Sequence, residues 1–265
     1  MALLVATRKA IMLIESSSNE NFKKWLDLTN GRGVKEHGLC LVSGRKIVPE
    51  MMERHPDLVA EVLTHADRVM EVMQIRSSRY ATLKKDLFKQ LDLFGTDFPL
   101  LIMKVPPMES LKNNGSPQSS AFPEPNGLEV ILALQDPRNL GAALRSCQGF
   151  DVKKVYLCEE CANPFHPESL RSSSGASFDL SFVKINSLNK LESHSAMKVL
   201  DSSGENLISS KWQKNQFLVL GTEGQGVPAS LSNVEKIHIP ISSKLDSLNA
   251  STALAIALYD YRAKQ

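Results

Sequence analysis

Three short segments in the C-terminal half each place polar or glycine residues directly after an apolar stretch, and this arrangement constrains the fold most. Motif 1 is DPRNLGAALR at 136–145, motif 2 is LGTEGQG at 220–226, and motif 3 begins IPIS at 239 and ends SLNAS at 251. Open α/β sheets build their binding sites from loops that leave the carboxyl ends of strands. The three motifs together therefore predict a single site at one edge of a parallel sheet.

Composition indicates a globular protein of one large or two moderate domains. The chain has 265 residues, of which 42% are hydrophobic and 23% are charged, and its formal net charge is +2. It contains no apolar run of about 18 residues, so we expect no membrane span. Arg8 and Lys9 interrupt the first apolar stretch, which argues against a secretory signal. Four unevenly spaced cysteines favour a reduced, cytoplasmic protein.

A stretch rich in proline, glycine, serine and asparagine separates two parts of the chain. We assign residues 106–127 to a linker because they contain few side chains that would fill a core. This gives an N-terminal domain at 1–105 and a C-terminal domain at 128–265. Both parts alternate strand-like and helix-like stretches, so the predicted fold class is α/β.

In the N-terminal domain the hydrophobic pattern predicts three helices and three strands. The helix at 21–28 is amphipathic, with Phe22, Trp25, Leu26 and Leu28 expected on one side. The other helices are expected at 46–53 and 80–91, and the strands at 38–43, 57–64 and 99–105.

In the C-terminal domain the pattern predicts a mostly parallel sheet covered on both faces. The expected strands are 129–134, 154–157, 197–201, 216–221 and 236–240. The expected helices are 139–150, a short one from 168 to 173, and 251–264.

The three motifs resemble those of the SpoU/TrmH family of RNA ribose 2′-O-methyltransferases, part of the SPOUT superfamily. The LRSSSGA segment at 170–176 is similar to that family's Ser-x-Gly-Ala turn, and residues 37–50 resemble more weakly the opening of an L30e/L7Ae-type substrate-binding domain. The resemblance implies a C-terminal SPOUT-type domain with a deep trefoil knot, a smaller N-terminal L30e-like domain and a homodimer. It also implies S-adenosylmethionine as cofactor and structured RNA as substrate, with ribosomal RNA favoured over transfer RNA.

By this resemblance motif 2 and part of motif 3 form the pocket for the methyl donor. Glycines allow the backbone to approach a ligand closely, and isoleucine and leucine side chains supply apolar walls for an adenine. An ordinary tight turn is the alternative interpretation of motif 2. The expected donor-binding residues are Leu220, Gly221, Thr222, Glu223, Gly224, Ile239, Ile241 and Leu248.

The residues expected to carry the reaction are Arg145, Asn139, Glu223, Ser247 and Asn249. The resemblance makes Arg145 the residue that activates the ribose hydroxyl. A guanidinium is almost always protonated, so binding phosphate or stabilising a developing alkoxide is physically easier than accepting a proton. Capping the following helix is an alternative role for Asn139 and for Ser247. Glu223 is expected to hold Arg145 or Asn249 in place.

RNA contacts are expected in the N-terminal domain, with Arg45 and Lys46 as the first candidates because they follow Gly44 at the turn that faces RNA in the resembled domain. The Cys158–Cys161 spacing suits a metal, but there is no second ligand pair, so we expect none. A catalytically inactive RNA-binding or ribosome-assembly module is the alternative function. A Rossmann-type nucleotide enzyme is disfavoured because Gly224 and Gly226 lack the third glycine of that fingerprint.

Overall fold

The computed structural model describes residues 11–68, 79–111, 122–222 and 227–265. The chain forms two compact units. The first contains the residues up to Pro106 together with Phe165–Pro167, and the second contains 107–164 and 168–265. Most of the expected linker, 112–121, lies outside the described residues, and so do Glu223 and Gly224. No helix in the described part of the chain is long and apolar enough to cross a membrane.

The first unit contains a mixed five-stranded sheet with the strand order β1-β4-β3-β5-β2. Strands β1, β3 and β4 are parallel, and β5 runs antiparallel to β2 and β3. The strands are β1 Ile11–Ile14, β2 Leu39–Val42, β3 Val59–His65, β4 Tyr80–Leu83 and β5 Leu100–Lys104, and the helices are α1 Glu20–Asp27, α2 Gly31–His37, α3 Ile47–Arg54 and α4 Lys85–Leu91.

Two expectations for this unit are wrong. Residues 80–91 are not one helix, because Tyr80–Leu83 is a strand paired on both sides, with β1 and β3. All four of its residues are buried, and a short apolar run of this kind does not distinguish a strand from a helix. On α1, Phe22 and Trp25 are buried as expected, whereas Leu26 is 37% exposed.

The second unit contains a seven-stranded parallel sheet with the order β12-β10-β11-β7-β8-β9-β6. The strands are β6 Glu109–Ser110, β7 Leu128–Leu132, β8 Lys154–Leu157, β9 Phe182–Lys184, β10 Met197–Asn206, β11 Gln216–Leu220 and β12 Glu235–His238, and the helices are α5 Pro137–Gly149, α6 Pro167–Ser173 and α7 Ala250–Ala263. Every residue of β7 and β11 is buried, as expected for central strands of a covered parallel sheet.

The order of strands in this sheet departs from the order in the sequence. From β7 the chain adds β8 and β9 on one side, and then crosses to the other side to form β10. Strand β11 is then inserted between β10 and β7, and β12 is added outside β10. As a result, β7 and β11 are neighbours, although two α-helices and three strands separate them along the chain.

Helix α5 packs against α6 at a glycine. A Cβ atom added to Gly141 would lie 2.4 Å from the Ser169 carbonyl oxygen and 2.7 Å from the Ser172 Cβ. The Ser169 hydroxyl is fully buried and donates towards the carbonyl oxygens of Pro137 and Asn163, at 2.9 and 3.0 Å. This close approach fixes the start of α5, which carries motif 1.

Candidate active site

The three motifs leave the same edge of the second unit's sheet. Motif 1 follows β7, motif 2 starts at the last residue of β11, and motif 3 follows β12. Since all these strands are parallel, their carboxyl ends lie on one side, where open α/β sheets place their ligands. The structure therefore brings the described residues of the motifs to the edge that the sequence predicted.

The N-terminus of α5 is capped by Asp136. Its Oδ1 accepts hydrogen bonds from the backbone N–H groups of Arg138 and Asn139, at 2.7 and 3.1 Å. The hydrogen bond from the Arg138 side chain holds the pKa of Asp136 below its usual range. The helix thus begins at Pro137, two residues before the expected start at Asn139. Asn139 is its third residue, so its alternative role as the helix cap is excluded. An aspartate followed by proline was the overlooked signal.

The N-terminus of α7 is capped by Asn249, not by Ser247. The Asn249 Oδ1 accepts from the backbone N–H groups of Ser251 and Thr252, at 3.0 and 3.3 Å, and also from the Ser251 hydroxyl. Ser247 lies before the cap and is exposed. Capping is thereby removed as the alternative role for Ser247.

A hydrogen bond joins motif 1 to motif 3. The Asn249 Nδ2 donates to the Asn139 Oδ1 at 2.9 Å, between residues 110 positions apart. The orientation of the Asn249 amide follows from its surroundings, because the oxygen that caps α7 accepts from N–H groups and leaves the nitrogen to donate. The Asn139 oxygen is thereby engaged as an acceptor. The Asn249 side chain thus both caps α7 and holds the side chain of Asn139 in position.

The Arg145 side chain is exposed on α5 and makes no hydrogen bond or ion pair with the described residues. Six residues turn an α-helix by about 600°, so its side chain leaves the helix roughly 120° away from that of Asn139. The two side chains therefore leave α5 on different sides of the helix. Helices α5 and α7 run side by side, with Asn139 near Asn249 at their starts and Phe150 against Tyr259 towards their ends.

The expected donor-binding residues that the structure describes lie at the same edge. Leu220 is the buried last residue of β11, and Gly221 and Thr222 are half-buried after it. Ile239 and Leu248 are half-buried, whereas Ile241 is 37% exposed. The described edge thus presents a glycine, a hydroxyl and several apolar side chains, which is the chemistry that a nucleoside-bearing ligand requires.

The two RNA-contact candidates lie in the first unit after β2. The Arg45 guanidinium donates to the Thr96 carbonyl oxygen at 3.0 Å and stacks 5.8 Å from the centre of the Phe98 ring. Lys46 is exposed and pairs with Glu50 at 3.8 Å. Both follow Gly44, whose φ of +132° favours glycine.

The Cys158–Cys161 pair lies in the turn after β8. Burial raises the pKa of the Cys161 thiol to about 12 and raises that of Cys158 further. Within the described ranges, no three histidine, cysteine, aspartate or glutamate side chains are arranged to hold a metal ion.

Residues 128–259 match the model of the SpoU rRNA methylase family. The chain belongs to the SpoU family. A relative from Syntrophobacter fumaroxidans, "Ribosomal RNA small subunit methyltransferase G 2", is 32% identical over 95% of this chain and 49% of its own length. The Bacillus subtilis "23S rRNA (guanosine(2553)-2′-O)-methyltransferase RlmP" is 27% identical over 94% of this chain and 98% of its own length.

The chain thus spans about half the length of some of the curated relatives it matches and nearly all of others. Among solved structures, the AdoMet-bound rRNA methyltransferase from Sinorhizobium meliloti superimposes with a TM-score of 0.76 at 19% identity, over 96% of this chain and 98% of that one. This similarity shows that the chain has the α/β fold of that methyltransferase.

Proposed function

We propose that this chain is an S-adenosylmethionine-dependent methyltransferase that modifies a ribose 2′-hydroxyl of structured RNA, with ribosomal RNA favoured over transfer RNA. The observation that carries the proposal is the hydrogen bond from Asn249 to Asn139, which joins two family motifs at the carboxyl edge of the sheet. The relatives named above are called ribosomal RNA methyltransferases. This chain matches the SpoU family model and has the fold of a solved rRNA methyltransferase. An inactive RNA-binding module finds no support among these relatives.

The methyl donor is held, in this proposal, by the loops that follow β11 and β12. The residues that would hold it are Leu220, Gly221, Thr222, Glu223, Gly224, Ile239, Ile241 and Leu248. When bound, S-adenosylmethionine supplies an electrophilic methyl group next to a sulfonium. The part of this chain is to hold the donor and the ribose in line, and well-oriented reactants account for much of the rate in such displacements.

Arg145 is proposed to bind the RNA phosphate and to stabilise the charge that develops on the ribose oxygen. A bound donor would supply its methyl group to this oxygen, and the hydroxyl proton would pass to water. A guanidinium has five N–H donors and is almost always protonated. It is therefore better suited to binding the phosphate and the negatively charged ribose oxygen than to accepting a proton. Asn139, held by Asn249, orients the hydroxyl, and Ser247 and Glu223 are assigned to the same site by the family resemblance.

We also propose the family's domain organisation and assembly for this chain. Residues 1–105 form an L30e-like RNA-binding domain, 106–127 a linker, and 128–265 the methyltransferase domain. Support for a trefoil knot comes from the insertion of β11 between β10 and β7. Support for a homodimer comes from α7, where Ile256 is 36% exposed and Tyr259 is 65% exposed. A cytoplasmic location fits this function.

The first test is calorimetric titration of S-adenosylmethionine into the protein, with and without bulk RNA. Transfer of radiolabelled methyl groups to unmodified ribosomal and transfer RNA pools follows. We expect donor binding and label in ribosomal RNA. A complete lack of donor binding under both conditions would reject the proposed activity.

Gly221→Val is expected to weaken donor binding. Any side chain at this half-buried position at the end of β11 would occupy space that the donor requires. The measurement is the calorimetric dissociation constant, with Gly149→Ala as a control because that glycine has open space around its Cα. Equal donor affinity in Gly221→Val and the unaltered protein would remove this loop from the pocket.

Asn249→Asp separates the two roles of this side chain. Aspartate still caps α7, where a negative charge at a helix N-terminus is favourable, but it has no N–H to donate to Asn139. We therefore expect near-normal thermal stability with a clear loss of methyl transfer. Asn249→Ala removes the cap as well and should also lose about 1 kcal/mol of stability. Full activity in Asn249→Asp would show that the bond to Asn139 is not needed.

A further inference from the structure

A cavity of about 430 Å³ opens on the second unit at the edge of the sheet opposite to the three motifs. Lys198 is the second residue of β10, Glu235 is the first residue of β12, and Trp212 precedes β11, so all three lie at the amino edge of the parallel sheet. Volumes of about 300–1,000 Å³ are typical of small-molecule sites. We call this cavity the amino-edge pocket. Its lining also includes Glu205, Lys211 and Gln213.

A buried ion pair borders the amino-edge pocket. The Lys198 side chain is 2% exposed, and its ammonium group donates to the Glu235 carboxylate and, at 2.8 Å, to the Ser210 hydroxyl. The same ammonium group lies 5.4 Å from the centre of the Trp212 ring. Because Glu235 compensates its charge, Lys198 shapes the pocket without adding a free positive charge to it.

The C-terminal end of α7 holds the turn that carries Trp212. The Trp212 Nε1 donates to the Asp260 Oδ2 at 2.8 Å, and the Tyr261 ring stands nearly perpendicular to the Trp212 ring with 5.5 Å between their centres. The Lys264 ammonium group donates to three carbonyl oxygens within residues 207–210. These contacts fix the indole before a ligand arrives, and a preformed site loses less conformational entropy on binding.

Three exposed side chains of the pocket have unused hydrogen-bonding capacity. Glu205, Lys211 and Gln213 make no side-chain hydrogen bond or ion pair with any residue in the described ranges. They offer, respectively, two acceptor oxygens, three N–H donors and an amide that both donates and accepts. Together with the half-buried indole of Trp212, they suit a flat ligand that carries N–H donors, an acceptor and an anionic group.

We infer that the amino-edge pocket binds a guanine nucleotide. Guanine presents two adjacent N–H donors, at N1 and N2, which match the two oxygens of the Glu205 carboxylate. Its O6 accepts from the Gln213 amide, its ring stacks on the indole of Trp212, and its phosphate pairs with the Lys211 ammonium group. Adenine, cytosine and uracil lack this pair of neighbouring donors. The site does not depend on the proposed methyl transfer, whose motifs leave the opposite edge of the sheet.

The first experiment is calorimetric titration of GMP into the full-length protein, with AMP as the comparison. We expect saturable binding of GMP and at least about tenfold weaker binding of AMP, because AMP loses a charge-assisted hydrogen bond to Glu205. A lack of saturable GMP binding at millimolar concentrations overturns the inference, and so does equal affinity for AMP.

Tryptophan fluorescence identifies the ring that meets the base. The chain has two tryptophans, and Trp25 is 2% exposed in the first unit. Quenching by GMP should therefore come from Trp212 and disappear in Trp212→Phe, whose fold is checked by circular dichroism. Quenching that persists in this variant overturns the inference.

Glu205→Gln tests recognition of the base. Glutamine replaces one acceptor oxygen by an NH₂ group, which opposes the N–H donors of guanine. We expect GMP affinity to fall at least about tenfold with the melting temperature unchanged, because the Glu205 side chain is exposed and bonds to no described residue. Glu192→Gln is the matched control, since Glu192 is an exposed glutamate of the same unit outside the pocket. Unchanged affinity in Glu205→Gln, or an equal loss in Glu192→Gln, overturns the inference.

Lys211→Gln tests recognition of the phosphate. The variant should bind GMP severalfold more weakly than the unaltered protein does, because the ammonium group that pairs with the phosphate is gone. Its affinity for guanosine, which has no phosphate, should be unchanged. An equal loss for GMP and guanosine, or no loss for GMP, overturns the phosphate contact of Lys211.

Two further titrations locate the site and the source of the nucleotide. Saturating S-adenosylmethionine should leave GMP affinity unchanged, because the expected donor-binding loops follow the opposite ends of β11 and β12. Displacement of GMP by the donor overturns the inference. A single-stranded RNA pentanucleotide with one guanine is the second ligand. Tighter binding of GMP identifies a free nucleotide, tighter binding of the pentanucleotide identifies guanine within RNA, and both results support a guanine site.

Discussion

Arg145→Ala is expected to lower the rate of methyl transfer about a hundredfold to a thousandfold, the usual effect of removing one group that stabilises transition-state charge. Its stability should be nearly unchanged, because Arg145 is exposed and bonds to none of the described residues. Donor affinity should also be unchanged, since the expected donor-binding loops follow β11 and β12 whereas Arg145 lies on α5. The measurements are single-turnover methyl transfer, thermal unfolding and calorimetry with S-adenosylmethionine.

Arg145→Lys is the control that distinguishes the possible roles. Lysine keeps the charge but lacks the planar fork, and its ordinary pKa is about two units lower than that of arginine. A phosphate-binding and charge-stabilising role predicts that lysine restores only a small part of the activity, with the pH profile unchanged. A proton-accepting role predicts activity whose pH dependence moves to lower pH in Arg145→Lys. Normal turnover by Arg145→Ala would exclude both roles.

Gly141→Ala is expected to destabilise the second unit by about 1–3 kcal/mol, as overpacking of a close contact usually does. The added methyl group would lie 2.4 Å from the Ser169 carbonyl oxygen, which belongs to a helix held by its own buried hydrogen bonds. Neither element moves away at low cost. Differential scanning calorimetry should show a lower melting temperature for the second unit, where a change of this size shifts the transition by several degrees.

Gly149→Ala provides the comparison within the same helix. Gly149 is the last residue of α5, and an added Cβ there meets nothing within 4 Å. Alanine should leave stability unchanged or raise it slightly, because it is the better helix former. If Gly141→Ala and Gly149→Ala melt at the same temperature, the α5–α6 contact is not as close as the structure indicates.

Local patterns in the sequence predicted five of the seven strands of the second unit's sheet and placed the three motifs after strands. Strands β7 and β11 are continuous apolar runs ending in polar loops, and parallel pairing is the common solution for such runs. The same signal misassigned Tyr80–Leu83, since four buried residues fit a helix and a strand equally well. Strands β1, β6 and β9 and helix α2 were not predicted.

Contacts between residues that are far apart in the sequence could not be predicted from local patterns. The bond between Asn139 and Asn249 joins residues 110 positions apart, and Trp212 reaches Asp260 over 48 positions. Motif spacing carried no information about which side chain caps a helix and which one bonds across the site. The support for Trp212 was missed for the same reason, since neither Asp260 nor Lys264 belongs to a recognisable motif.

The position of β11 has a consequence for how the protein reaches its folded state. Its partners on the two sides are β10, which directly precedes it, and β7, from which β8, β9 and several helices separate it. Pairing of distant segments is slow, because the entropy of closing the intervening chain is lost before the contact forms. Gly221 and Thr222, which directly follow β11, therefore take their places late, and the capacity to bind the donor should arise in one of the last steps of refolding.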